Sequence, residues 1–94
     1  MSDVESVAEA YKLLEKVSSL GEMEKEAFKY FIENVSVGVI RAVKDLKARG
    51  VKDPEEAIAK LVEEGLIEEG AECYNLAKPL RELIRKRGSL HLDF

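Results

Sequence analysis

One histidine, His91, and one cysteine, Cys73, are the only side chains here of the types that most often serve as proton shuttle, thiolate nucleophile or soft metal ligand. A zinc site normally draws several ligands from His and Cys, so a metal centre would have to be completed by carboxylates. None is expected. The neighbouring acids Glu63/Glu64 and Glu68/Glu69 are the remaining candidates for acid–base work, but sequence neighbours on a helix do not share a face. They read as solvated acids. No phosphate-binding loop, dinucleotide fingerprint or nucleophile–base pairing is present. The chain is therefore expected to be non-catalytic, with no metal and no cofactor.

Binding chemistry is better represented. Lys78, Arg81, Arg85, Lys86 and Arg87 form a basic set near the C-terminus. Such a set either complements a helix C-terminus and pairs with nearby acids, or forms a face for phosphates or an acidic partner. In the second case Lys44, Lys47, Arg49 and Lys52 are candidates to join it. The net charge of −4 is distributed in blocks: −4 over residues 1–34, +3 over 35–53, −6 over 54–74 and +3 over 75–94. A net acidic chain is not built to coat nucleic acid indiscriminately, although a local basic face can still meet phosphates.

Ninety-four residues are enough for a single domain (1–94) that buries about 60–65% of the surface of its unfolded chain without a disulfide. The lone Cys73 fits a reducing compartment. No apolar run approaches a membrane span and no secretory pattern opens the chain, so a cytoplasmic protein with no membrane contact is expected. Charged residues make up 36% of the chain, and Gln, Thr and Trp are missing. That bias matches hyperthermophile proteins and suggests an archaeal or other thermophilic source.

The elements that must position these groups are mostly helical. Val4, Val7, Ala8, Tyr11, Leu14 and Val17 recur at three- and four-residue spacing and predict an amphipathic helix, ended by Ser18-Ser19-Leu20-Gly21. A second helix starts near Glu22, with Met23, Ala27, Phe28, Phe31, Ile32 and Val35 on its apolar face. Tyr30 lies off that stripe, either facing a partner or carrying its hydroxyl into water. Residues 1–35 thus form a helical hairpin. The run Asn34 to Ile40 is ambiguous: a break near Ser36 followed by a helix to Arg49 is expected, with one unbroken helix from Glu22 to Arg49 as the alternative.

Asp53-Pro54-Glu55-Glu56 is a strong helix start, with an N-cap, Pro at the first position and acids in the first turn. Gly65 is the matching stop. Ala57, Ile58, Leu61 and Val62 face inward. Leu66-Ile67-Glu68, a turn at Glu69-Gly70-Ala71, and Glu72 to Leu76 predict a two-stranded ribbon, and Ala77 to Arg87 returns to helical period with Leu80, Leu83 and Ile84 inward.

The phrase Leu61-Val62-Glu63-Glu64-Gly65-Leu66-Ile67, a Gly-bearing turn, Tyr74-Asn75-Leu76 and a helix with Leu80-Arg81-Glu82-Leu83 resemble the second half of winged helix-turn-helix domains. The resemblance covers residues 54–87. It implies a winged-helix-like core over residues 36–88, with Val39 to Gly50 as the first helix of the helix-turn-helix and Pro54 to Glu64 at the recognition position. The expected fold class is mostly α with a small β-hairpin, an N-terminal helical hairpin preceding that core. Glu55, Glu56, Glu63 and Glu64 would nevertheless point outward from the recognition position, where a DNA-reading helix needs Arg, Lys, Asn or Gln.

The function expected is a small non-catalytic accessory or regulator-like protein of nucleic-acid transactions, acting mainly through a protein partner the sequence does not identify. The alternative is a winged-helix DNA-binding transcription regulator using the basic last helix and wing. A homodimer seam is expected on Val4, Val7, Tyr11 and Leu14. After Gly88 the period becomes alternating, so residues 89–94 are expected to be an extended tail with Leu90, Leu92 and Phe94 on one side. That tail either docks as an added strand or serves as a recognition peptide.

Overall fold

The computed structural model describes residues 3–88. Within them the chain runs α1 (Asp3–Val17), α2 (Glu22–Glu33), β1 (Ser36–Gly38), α3 (Val39–Ala48), α4 (Pro54–Glu63), β2 (Ile67–Gly70), β3 (Cys73–Leu76) and α5 (Lys78–Arg87). The strands make one antiparallel sheet in the order β1-β3-β2. The mostly α class with a small hairpin is therefore observed. His91 and the tail residues Leu90, Leu92 and Phe94 lie outside the described residues, as does the Val4 side chain.

Local chemistry sets the element ends. Asp53 Oδ1 accepts the Glu56 N–H at 3.2 Å, and Pro54 occupies the first turn where its missing donor costs nothing. Gly65, at φ +76°, carries the chain out of α4 in the left-handed conformation that a side chain resists. Its Cα also sits under α1: a Cβ added there would meet Leu13 at 3.8 Å. At the start of α2, the Glu24 carboxylate accepts the Gly21 N–H at 2.6 Å, satisfying a donor the helix leaves open.

The break near Ser36 is present, and it is a strand rather than a kink. Val37 is buried and pairs with Tyr74, Ser36 pairs with Asn75, and Gly38 pairs with Cys73. β-Branched residues at 35, 37 and 39 suit an extended strand better than a helix, and the free side of β3 offers the missing hydrogen bonds. The expected two-stranded ribbon is thus a three-stranded sheet. At its tip Glu72 takes φ +57°, and its carbonyl accepts the Val39 N–H at 3.2 Å. The hairpin turn thereby caps the first turn of α3.

The core is continuous from Ala10 and Val17 through Phe28, Phe31, Leu46, Leu61 and Leu66 to Leu76, Leu80 and Leu83. Phe31 meets the rings of Tyr30 and Tyr74 edge-on, with centroids at 5.3 and 6.1 Å. The most extensive packing of α1 is along α5, and that of α2 is against α4. This docking rotates the buried face of α1 from the expected stripe. Ala10, Leu13 and Val17 turn inward beside Val7 and Leu14, whereas Ala8 and Tyr11 are exposed. Met23, expected on the buried face of α2, is 41% exposed in the first turn of the helix, ahead of the buried Ala27, Phe28 and Phe31.

Tyr30 corrects a second expectation, since it is 2% exposed and faces neither partner nor water. Its hydroxyl donates to Asp45 Oδ2 on α3 at 2.6 Å. The Arg49 guanidinium lies 5.6 Å from its ring centroid and holds Glu26 and Glu33 of α2, each at 2.8 Å. Burial, the hydrogen bond to Asp45 and that carboxylate's charge push the Tyr30 phenol up to about 12.

Candidate functional site

Three charged surfaces arise from this frame, and they differ in how far the fold already satisfies them. The first is the predicted basic set on α5. Ala77 supplies no capping side chain, and Glu68 of β2 takes that role. Its Oε2 accepts the Lys78 N–H at 3.1 Å, and its Oε1 accepts from Arg81 Nη2 at 3.3 Å. A carboxylate at this position also answers the positive end of the helix dipole. Arg85 pairs with Glu82 at 2.7 Å, and the Arg87 guanidinium lies 5.8 Å from the Tyr11 ring centroid. Lys78, Arg81, Glu82 and Arg85 line a shallow groove of about 240 Å³. Arg81 Nε is the one buried side-chain nitrogen or oxygen among the described residues without a hydrogen-bond partner. The structure thus brings the basic set onto one short helix, with much of its charge engaged by the molecule's own acids and ring.

The second surface is acidic and is formed by α4 and the β2–β3 hairpin. Glu55 and Glu56 are exposed in the first turn of α4, and Glu63 and Glu64 stand at its end. Lys60 bridges Glu63 and Glu64 at 3.3 and 3.4 Å, and these two carboxylates raise its pKa. The hairpin contributes Glu68, Glu69 and Glu72 and carries no cation. Tyr74 connects helix and hairpin: burial raises its phenol pKa first, and the charges of Glu69 and Glu55 add to the shift. Both acids therefore act on the same ring.

The third surface is the outer side of α3. Arg49, expected to join the basic set, is instead held by Glu26 and Glu33, which with burial acting against them raise its pKa. Lys44, Lys47 and Lys52 remain exposed. So does Ile40, at the end of the run Asn34 to Ile40, whose pattern is ambiguous between strand and helix. The period of α3 contains the signal: with Ala42 and Leu46 inward, Ile40 falls on the opposite side.

Of the expected dimer seam, Val7 and Leu14 are partly buried against the chain's own core. Tyr11 is 43% exposed and carries Arg87 over its ring. Cys73 is a half-buried free thiol beside Asn75. Among the described residues, no group of three or more His, Cys, Asp and Glu is arranged to hold a metal ion. No helix there is long and apolar enough to cross a membrane.

Residues 21–82 match the protein family described as PolB1 Binding Protein 2. The match runs from the start of α2 into α5 and leaves α1 outside. It covers well over half of the chain, which therefore belongs to that family. No curated protein matches the chain.

Proposed function

We propose, from membership of the PolB1 Binding Protein 2 family, that this chain is a small non-catalytic accessory of DNA replication that works by binding a PolB1 polymerase. The observation that carries this reading is the acidic α4 and hairpin. A helix and wing bearing Glu55, Glu56, Glu63, Glu64, Glu69 and Glu72 repel a phosphate backbone and offer no donor fork to a base edge. Contact with a protein is the use left to such a surface. We further read residues 36–88 as a winged-helix-like core. The order β1, α3, α4, β2, β3 following α2 and the β1-β3-β2 sheet support that reading, with α4 at the recognition position. The fold would then be retained without its usual mode of reading DNA.

The test mixes the purified chain with PolB1 and follows complex formation by calorimetry and size-exclusion chromatography, alongside titration of a DNA duplex over a range of salt. The expected result is a defined complex with the polymerase and, at physiological salt, weak duplex binding. Duplex binding of about micromolar affinity or tighter, falling steeply with salt and abolished by Arg81→Ala, Arg85→Ala and Arg87→Ala together, would sink the protein-partner reading.

A further inference from the structure

α3 buries Ala42 and Leu46, and at 3.6 residues per turn its opposite side presents Ile40 and Lys44 in line, with Lys47 beside them. Ile40 is 79% exposed, far more than any other large apolar side chain among the described residues. The core does not use it. Lys44 and Lys47 have no ion-pair or hydrogen-bond partner among the described residues, unlike Arg41, which pairs with Asp45, and unlike Arg49. An unshielded aliphatic side chain is therefore flanked by two unneutralised ammonium groups, on a chain whose net charge is −4.

We propose that the outer face of α3, built from Ile40, Lys44 and Lys47, docks an acidic segment of a protein partner that places an apolar side chain against Ile40. The proposal rests on the reading that the chain acts through a protein. Charge complementarity selects an acidic segment, because two free ammonium groups steer carboxylates and gain partners that the fold does not supply. The apolar centre decides between protein and nucleic acid. Ile40 gains nothing against phosphates, whereas an apolar anchor ringed by charge is the anatomy of a protein interface. The face is also pre-organised: β1 is paired into the sheet, and the Glu72 carbonyl holds the Val39 N–H at the start of the helix. Little ordering entropy remains to be lost on docking.

The experiment compares the full chain with Ile40→Ala, with the double change Lys44→Glu/Lys47→Glu, and with Lys12→Glu on α1 as a control. All four positions are exposed, and thermal melting checks that each variant folds. Affinity for purified PolB1 is measured at low and high salt. Each α3 variant is expected to weaken binding about tenfold or more, the charge reversal more strongly at low salt, with Lys12→Glu unchanged. Intact wild-type binding with both α3 variants unaffected overturns the proposal and leaves the protein-partner reading standing. Lack of wild-type binding defeats that reading itself. In that case an Asp/Glu-rich peptide carrying one Leu is titrated into the isotope-labelled chain: shifts confined to α3 amides support the face, and their absence overturns it. Loss of duplex affinity, or of self-association in sedimentation, on changing α3 would mark a nucleic-acid or self-contact face and overturn the proposal as well.

Discussion

Replacing Tyr30 by Phe removes one oxygen from the α2–α3 junction and leaves the ring packing against Phe31 intact, so it isolates the hydrogen bond to Asp45. A hydrogen bond to a charged group contributes about 1.5–3 kcal/mol, and the lower half of that range applies here because Asp45 keeps Arg41 at 3.4 Å and is partly exposed. The expected loss at neutral pH is thus about 1.5–2.2 kcal/mol, or about 6–18 °C in melting temperature for a domain of this size. The sign of the pH dependence follows from the phenol, whose folded pKa of about 12 lies above its ordinary value of 10.0. Its contribution is complete below pH 10 and is lost as the pH rises through 12. A shift of this size corresponds to about 2–3 kcal/mol over that window. The advantage of wild type over Tyr30→Phe should therefore shrink above pH 10 and vanish or reverse near pH 12. Paired urea titrations monitored by circular dichroism at several pH values measure that difference, and exposed lysines cancel between the two proteins. Equal stability at pH 7, or a difference that stays flat from pH 9 to 12, would refute the reasoning.

Three further outcomes are expected. Glu68→Ala removes the carboxylate that caps α5 and holds Arg81, and should cost about 1 kcal/mol by thermal melting, with Glu68→Gln recovering part of it. Gly65→Ala leaves room for the added Cβ but forces a side chain to φ +76°, so chemical denaturation should show a loss of about 1–2 kcal/mol. Phe31→Ala empties a fully buried site between Tyr30 and Tyr74, and a cost of about 3–5 kcal/mol should leave the domain largely unfolded at elevated temperature by near-ultraviolet circular dichroism.

What the sequence made legible was punctuation. Asp53, Gly65 and Gly88 act at short range through caps and left-handed turns, and each works where its residue type placed it. Partners far along the chain were harder to read. β1 is only three residues long, and its strand character depends on meeting β3 some thirty-seven residues later. The burial of Tyr30 likewise depends on Asp45, on the next helix, and Arg49, at that helix's C-cap, which compensate its hydroxyl and ring. In α1 two overlapping stripes share Val7, Leu14 and Val17, and the sequence alone does not choose between Ala8 with Tyr11 and Ala10 with Leu13; the second pair is the one turned inward where α1 docks on α5. For the charged surfaces, composition identified the cations, but which of them are already engaged is a property of the fold. Arg49 and Arg81 are held by acids from other elements, whereas Lys44 and Lys47 are not.

The carbonyl at the hairpin tip, occupied with the first amide of α3, has a practical bearing on how this molecule tolerates change. Hairpin tips are ordinarily the safest places to insert a label, a tag or extra residues, because nothing else depends on them. Here lengthening the Ala71–Glu72 turn would withdraw Glu72 from Val39 and uncap the neighbouring helix at the same stroke. Fluorophores and affinity handles belong instead in the exposed serines between α1 and α2, where Ser18 and Ser19 bond only to the preceding turn. The same coupling caps the length of the hairpin in any redesign: a longer, more basic hairpin grafted here would need a new acceptor for Val39 before it could be expected to fold.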